Sequence, residues 1–141
     1  MADDTFTTEE RAAMKQRSKE LRTRKGRTTP EEDRAEALAA IAALGDDERR
    51  LAERVFGVVS EAAPDLAPRT WYSSPAWAKD GKVVVFYQQA SKFKVRYATL
   101  GFSETARLDD GAMWPTSFAV ADVTPEVEAR IVDLVRRAVG S

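Results

Sequence analysis

The sequence predicts an α+β domain in two layers, an antiparallel β-meander packed against N-terminal and C-terminal helices. Three observations predict it. Apolar residues recur at helical spacing in two segments, Leu51 to Ala62 and Val127 to Ala138. Between those segments the pattern changes to alternation. Asp80-Gly81, standing between two alternating runs, is a hairpin signal.

Taken in order, Thr8 can cap an expected basic, weakly amphipathic helix whose apolar positions are only Ala12, Ala13, Met14 and Leu21. That face is too thin to dock firmly, and the segment runs into the linker "KGRTT". Residues 1–28 therefore read as a basic helical arm and linker, and residues 29–141 as one domain. Thr29-Pro30-Glu31-Glu32 is a helix start: a capping hydroxyl, proline where no N–H is needed, and a glutamate placed to reach back. The helix is expected over 30–43, with Leu38, Ile41 and Ala42 inward, closing at Gly45. Asp46, Asp47 and Glu48 open the next, where carboxylates complement the positive end of the helix dipole, and Pro64 ends it.

Trp71–Ala78 is expected to be a short strand interrupted at Ser74-Pro75, followed by the Asp80-Gly81 turn and a partner strand over 82–89. "KFKVRYAT" (92–99) alternates strictly, which predicts a strand with Phe93, Val95 and Tyr97 inward and Lys92, Lys94 and Arg96 in water. A last strand is expected around 116–121, after a loop holding Asp109-Asp110-Gly111. Thr124-Pro125 then starts a final helix that ends with Arg136 and Arg137 before Gly140.

Composition narrows the chemistry. The 141 residues contain no cysteine and no histidine, which removes disulfides, thiolate nucleophiles, imidazole bases and the commonest transition-metal ligand. Binding is the expectation rather than an enzyme. Tyr72, Lys82 or Lys92 could do proton chemistry if buried, but the spacing nominates none of them. No apolar run reaches the roughly 18 residues of a membrane span, and the N-terminus lacks a signal peptide's basic start, so a cytoplasmic protein without a membrane partner is expected. The net charge of −1 hides blocks of sign. Residues 1–10 carry four acids and no base, whereas residues 11–27 carry eight lysines and arginines against Glu20 alone.

Three groups of residues stand out as candidate sites. Trp71, Tyr72, Trp77 and Trp114 would either fill the seam between sheet and helices or line a small apolar ligand cleft. Lys92, Lys94 and Arg96 form a basic strand face that could hold an anion or remain a solvated outer face. Asp46, Asp47, Glu48, Asp109 and Asp110 could offer oxygen ligands to a hard cation such as iron. Their ordinary reading is helix capping, salt bridging with Arg49 and Arg50, and turn formation.

In order, Pro64-Asp65 closes a helix, "TWYSSPAWAKDGKVVVFY" supplies an aromatic-x-x-Pro strand, "KFKVRYATLGF" a lysine-rich one, and "DDGAMWPTSFAV" a glycine-aromatic-Pro segment before the last helix. This order resembles the bacterial YdhG-like family of domains of unknown function, some members of which are labelled frataxin-like iron chaperones. The likeness covers about residues 35–139 and implies an α+β domain with an antiparallel sheet under helices. It implies no catalytic residues. The leading expectation is a small non-enzymatic binding or interaction domain with an aromatic cleft and a basic strand face, its partner an unidentified small molecule or protein and its cofactor none. The alternatives are a frataxin-like iron-binding chaperone using surface carboxylates and, more weakly, nucleic-acid association through the arm at 11–27, with nucleic acid otherwise an unexpected partner.

Overall fold

The computed structural model describes residues 28–140; the basic arm and its expected helix lie outside them. Three helices and five strands follow in the order α1 (Pro30–Ala42), α2 (Asp46–Ala62), β1 (Ala67–Trp71), β2 (Ser74–Lys79), β3 (Lys82–Gln88), β4 (Ala98–Phe102), β5 (Ser117–Val120) and α3 (Pro125–Ala138). A single 3₁₀ turn, Ala90–Phe93, lies between β3 and β4. The strands pair in sequence order, every neighbour antiparallel, which makes the sheet a meander.

The helix starts follow local chemistry. Thr29 Oγ1 accepts the Glu32 N–H at 3.1 Å, and Thr124 Oγ1 accepts the Val127 N–H at 3.2 Å. In each case proline takes the first helical position. Asp46, Asp47 and Glu48 occupy the first turn of α2 as anticipated, and Arg136 and Arg137 the last turn of α3. On α1 the inward residues are Ala37 and Ile41, while Leu38 and Ala42 are exposed, contrary to the expected face. The helix is alanine-rich, so its orientation is set by what it covers rather than by an apolar stripe of its own.

Register places Trp77, Val85, Tyr87, Leu100, Phe102, Phe118 and Val120 on one side of the sheet. That side meets Val55, Phe56 and Val59 of α2 and Ile131, Leu134 and Val135 of α3, which together form the hydrophobic core. Burial of such side chains stabilises by roughly 1.5–3 kcal/mol each. Trp77 is fully buried, its ring 5.6 Å from that of Phe56, and its indole N–H donates to Ser60 Oγ at 3.2 Å. Arg34 of α1 lies over the other partner, 5.1 Å from the Phe56 ring centre. Thr70 Oγ1 donates to Glu36 at 2.9 Å and ties α1 to β1.

Two strand expectations need correction. The run expected as one interrupted strand, Trp71–Ala78, is a hairpin: β1 and β2 are joined through Tyr72 and Ser73, both with positive φ (52° and 66°). Positive φ at both central residues is the two-residue turn that matches strand twist, here made without glycine. The Asp80-Gly81 turn takes the same form with φ of 51° and 79°.

The second correction is larger. Residues 92–97 are not a strand; Phe93, Val95 and Tyr97 are 50%, 49% and 40% exposed, so the inward row expected there faces solvent. The cause is a clash of phase. Phe93, Val95 and Tyr97 alternate on odd positions, while Ala98, Leu100 and Phe102 alternate on even ones, and one continuous strand could bury only one set. The even set pairs across from Val85, Tyr87, Phe118 and Val120 and closes the core, so the strand begins at Ala98. Lys94, in the left-handed region at φ 54°, turns the chain before it.

On the opposite side of the sheet the Phe86 ring lies against Gly101, where an added Cβ would come within 2.2 Å of it. Gly101→Ala is therefore expected to destabilise the fold by about 1–3 kcal/mol in chemical denaturation. The same change in a Phe86→Ala background should cost much less, the non-additivity showing that the ring is what glycine accommodates.

Candidate functional site

The four aromatic candidates do not converge on one cleft. Trp77 belongs to the core. Trp71, on the opposite side of the sheet, packs against Phe86 (5.1 Å between ring centres) and Tyr72 (5.2 Å), and Tyr72 is exposed at its turn. Trp114 sits half-buried in the loop before β5, against the core. The hairpin separates Trp71 from Trp77 by reversing the chain between them, which alternation along a single strand could not foresee.

The carboxylate candidates are likewise apart. Asp46 pairs with Arg49 at 3.6 Å and Asp47 with Arg50 at 2.6 Å. Glu48 is bound at both oxygens by Ser91, from its N–H at 2.9 Å and its hydroxyl at 2.7 Å. Asp109 and Asp110 are exposed on the loop that turns at Gly111 (φ 70°). Among the described residues no group of three or more His, Cys, Asp or Glu is placed to hold a metal ion.

Lys92, Lys94 and Arg96 lie on the turn and loop between β3 and β4 rather than on a strand face. Lys92 Nζ donates to Ser74 Oγ at 3.2 Å, and Arg96 lies over the Tyr97 ring, 5.4 Å from its centre. Of the three, only Arg96 lines a pocket described below.

The structure brings together a set of residues that sequence reasoning left unconnected. An opening of about 460 Å³ lies where the first turns of α2 meet the ends of β3, β4 and β5. Its apolar lining includes Leu51, Ala98 and Val120; Tyr97 and Arg96 stand on the loop side, and Tyr87 is part of the wall. Leu51 comes from the α2 stripe, Tyr87 from near the end of β3, Ala98 from the start of β4 and Val120 from the end of β5. The site is thus a place where the two layers diverge at their edge.

Three arginines line the opening. Arg50 is bonded to Asp47 and Arg54 to Glu128 at 3.4 Å, whereas Arg96 has no carboxylate within ion-pair distance among the described residues. Asp122 accepts the Val123 N–H at 2.8 Å and Glu48 is occupied by Ser91, so those two carboxylates are already engaged. Among the described residues, Arg96 is the arginine of this lining without a carboxylate partner.

Tyr87 is the other distinctive group. It is 1% exposed, and its hydroxyl has no hydrogen-bond partner among the described groups. An unsatisfied buried hydroxyl costs about 1–3 kcal/mol. Burial pushes its pKa up to about 12, helped by the negative charge of Glu48. Across the physiological range the phenol therefore keeps its proton and can donate it in a hydrogen bond. A lone tyrosine at an inward strand position carries no sequence signal of this; its place in one lining with Glu48 and Arg96 arises only from the tertiary fold.

The chain matches none of the protein-family models, curated proteins or solved structures with which it was compared. No helix among the described residues is long and apolar enough to cross a membrane.

The phenol's raised pKa sets a sign for alkaline stability. Above about pH 10 the unfolded chain releases this proton while the folded one keeps it up to about pH 12, so between those values the fold loses stability as pH rises. At about 1.4 kcal/mol per unit the loss reaches roughly 3 kcal/mol. Tyr87→Phe should flatten that part of the stability profile relative to wild type, and at pH 7 it should leave stability unchanged or raise it. Urea unfolding at a series of pH values measures both.

Proposed function

We propose that this chain is a small-ligand binding domain, non-enzymatic, whose site is the opening between α2 and the ends of β3, β4 and β5. The observation that carries the reading is the Tyr87 hydroxyl, buried in the wall of that opening and without a partner among the described groups. A ligand acceptor that displaces the side chains covering this hydroxyl would satisfy a donor that the fold leaves unmatched. The opening's volume of about 460 Å³ falls in the range that holds compact organic molecules.

Its lining narrows the ligand class. Leu51, Ala98 and Val120 offer an apolar surface, the Tyr97 ring a flat wall, and Arg96 a guanidinium suited to a carboxylate. The favoured ligand is a small, planar carboxylate with an apolar body. A phenol that holds its proton to about pH 12 is a hydrogen-bond donor to such a ligand and not a base. This opening replaces the cleft expected from Trp71, Tyr72, Trp77 and Trp114 as the proposed ligand surface. The resemblance to YdhG-like domains remains part of the proposal and supplies no ligand.

Titration of ¹⁵N-labelled protein with a set of small aromatic carboxylates is the test. Amide shifts are expected at Leu51, Arg96, Ala98 and Val120, and the corresponding uncharged amides should bind more weakly. Arg96→Gln should lower affinity about fivefold, the worth of one exposed charge contact. Tyr87→Phe should lower it about as much through the lost hydrogen bond. Shifts confined to the Trp71–Phe86 side of the sheet, or indifference to Arg96→Gln, would refute this site.

A further inference from the structure

The loop after the 3₁₀ turn presents an unusual surface. Phe93, Val95 and Tyr97 stand about half exposed within five residues, and Lys92, Lys94 and Arg96 alternate with them. No carboxylate occurs from Ala90 to Tyr97, so the segment carries a charge of +3 beside three apolar side chains. Glu48 holds the base of the loop through Ser91 at 2.7 and 2.9 Å, so this surface is fixed to α2 where the loop begins. Lys92 and Arg96 lie within 5.8 and 5.4 Å of the adjacent Phe93 and Tyr97 ring centres, which keeps cation and ring side by side as one mixed surface.

We infer that this loop is the docking surface for the chain's own N-terminal segment, residues 1–10. That segment, "MADDTFTTEE", has the complementary composition: Asp3, Asp4, Glu9 and Glu10 with no base, and Phe6 between the acidic pairs. The intervening residues 11–27 are strongly basic, so the loop repels them and selects the acidic end. Reach is ample. The 27 residues before Thr28 span up to about 90 Å when extended, against a radius of gyration of about 13 Å for a domain of this size. Tethering holds the two at about millimolar effective concentration, so individually weak charge and ring contacts suffice. Lys79, Lys82 and Arg107 form another cationic group around a depression of about 520 Å³, but its lining offers Phe6 no aromatic or exposed large apolar partner.

Docking there would lay the segment along Arg96 and Tyr97, which also line the opening between α2 and the sheet. The docking itself does not depend on any ligand.

The absence of cysteine makes the test direct. Thr5→Cys in the full chain gives a single attachment point for a nitroxide, and paramagnetic broadening of amide signals maps where it resides. Selective broadening of Phe93 to Tyr97 is expected, recovering in about 1 M salt, where charges are screened beyond about 3 Å. It should also be lost when Asp3, Asp4, Glu9 and Glu10 are changed to Asn and Gln, or when Phe93→Ser and Arg96→Gln are combined, the amide spectrum reporting that the fold is intact. Uniform broadening, broadening around Lys79, Lys82 and Arg107, or broadening seen only between labelled and unlabelled copies would each overturn the inference.

Discussion

Trp77 stands where the sheet and helices meet, with no exposed surface, its ring against Phe56 and its indole N–H on Ser60. The largest side chain in the core is thereby held by both an apolar and a directional contact to the same helix. That fixes which side of β2 faces α2, and antiparallel register carries the choice outward. Val85, then Phe102, Leu100 and Phe118 follow onto the helical side because each pairs with a residue already placed there. Arg34 over Phe56 and Thr70 bound to Glu36 bring α1 onto the same layer. A helix with little amphipathic character of its own is in this way oriented by its neighbours.

The same constraint explains the loop between β3 and β4. Once Val85 and Tyr87 face the helices, β4 must present alternate residues in step with them, and Ala98, Leu100 and Phe102 do so. The preceding odd-numbered apolar residues are out of step and are left in solvent, with the chain turned by a left-handed Lys94. The cost of leaving three partly apolar side chains exposed is smaller than that of emptying the core of Leu100 and Phe102. Surface chemistry at this end of the molecule is a by-product of register.

The opening beside Tyr87 has a related origin. The first turn of α2, where Asp46 and Asp47 are tied to arginines on the same helix, borders the opening, and Tyr87 is covered there without a partner for its hydroxyl among the described groups. Glu48, rather than reaching the phenol, is held by Ser91, and its charge further discourages the phenolate. The opening and the attachment of the loop therefore meet in one small region, with Glu48 belonging to both.

The helices were legible in the sequence because their determinants are local. A capping threonine before proline, acids in a first turn, arginines in a last turn and a repeated apolar stripe act within a few residues of one another, and α1, α2 and α3 start where those signals lie. The α+β class and the Asp80-Gly81 hairpin were legible for the same reason. What the chain order could not decide was phase: whether Phe93-Val95-Tyr97 or Ala98-Leu100-Phe102 would be buried, and whether Trp71 and Trp77 share one strand or two. Alternation states that one face is apolar but not which of two competing sets finds partners, and that depends on strands and helices distant in sequence. The candidate site follows the same division, since Glu48, Tyr87 and Arg96 are ordinary residues singly and acquire their relation only when α2, β3 and the loop are folded together.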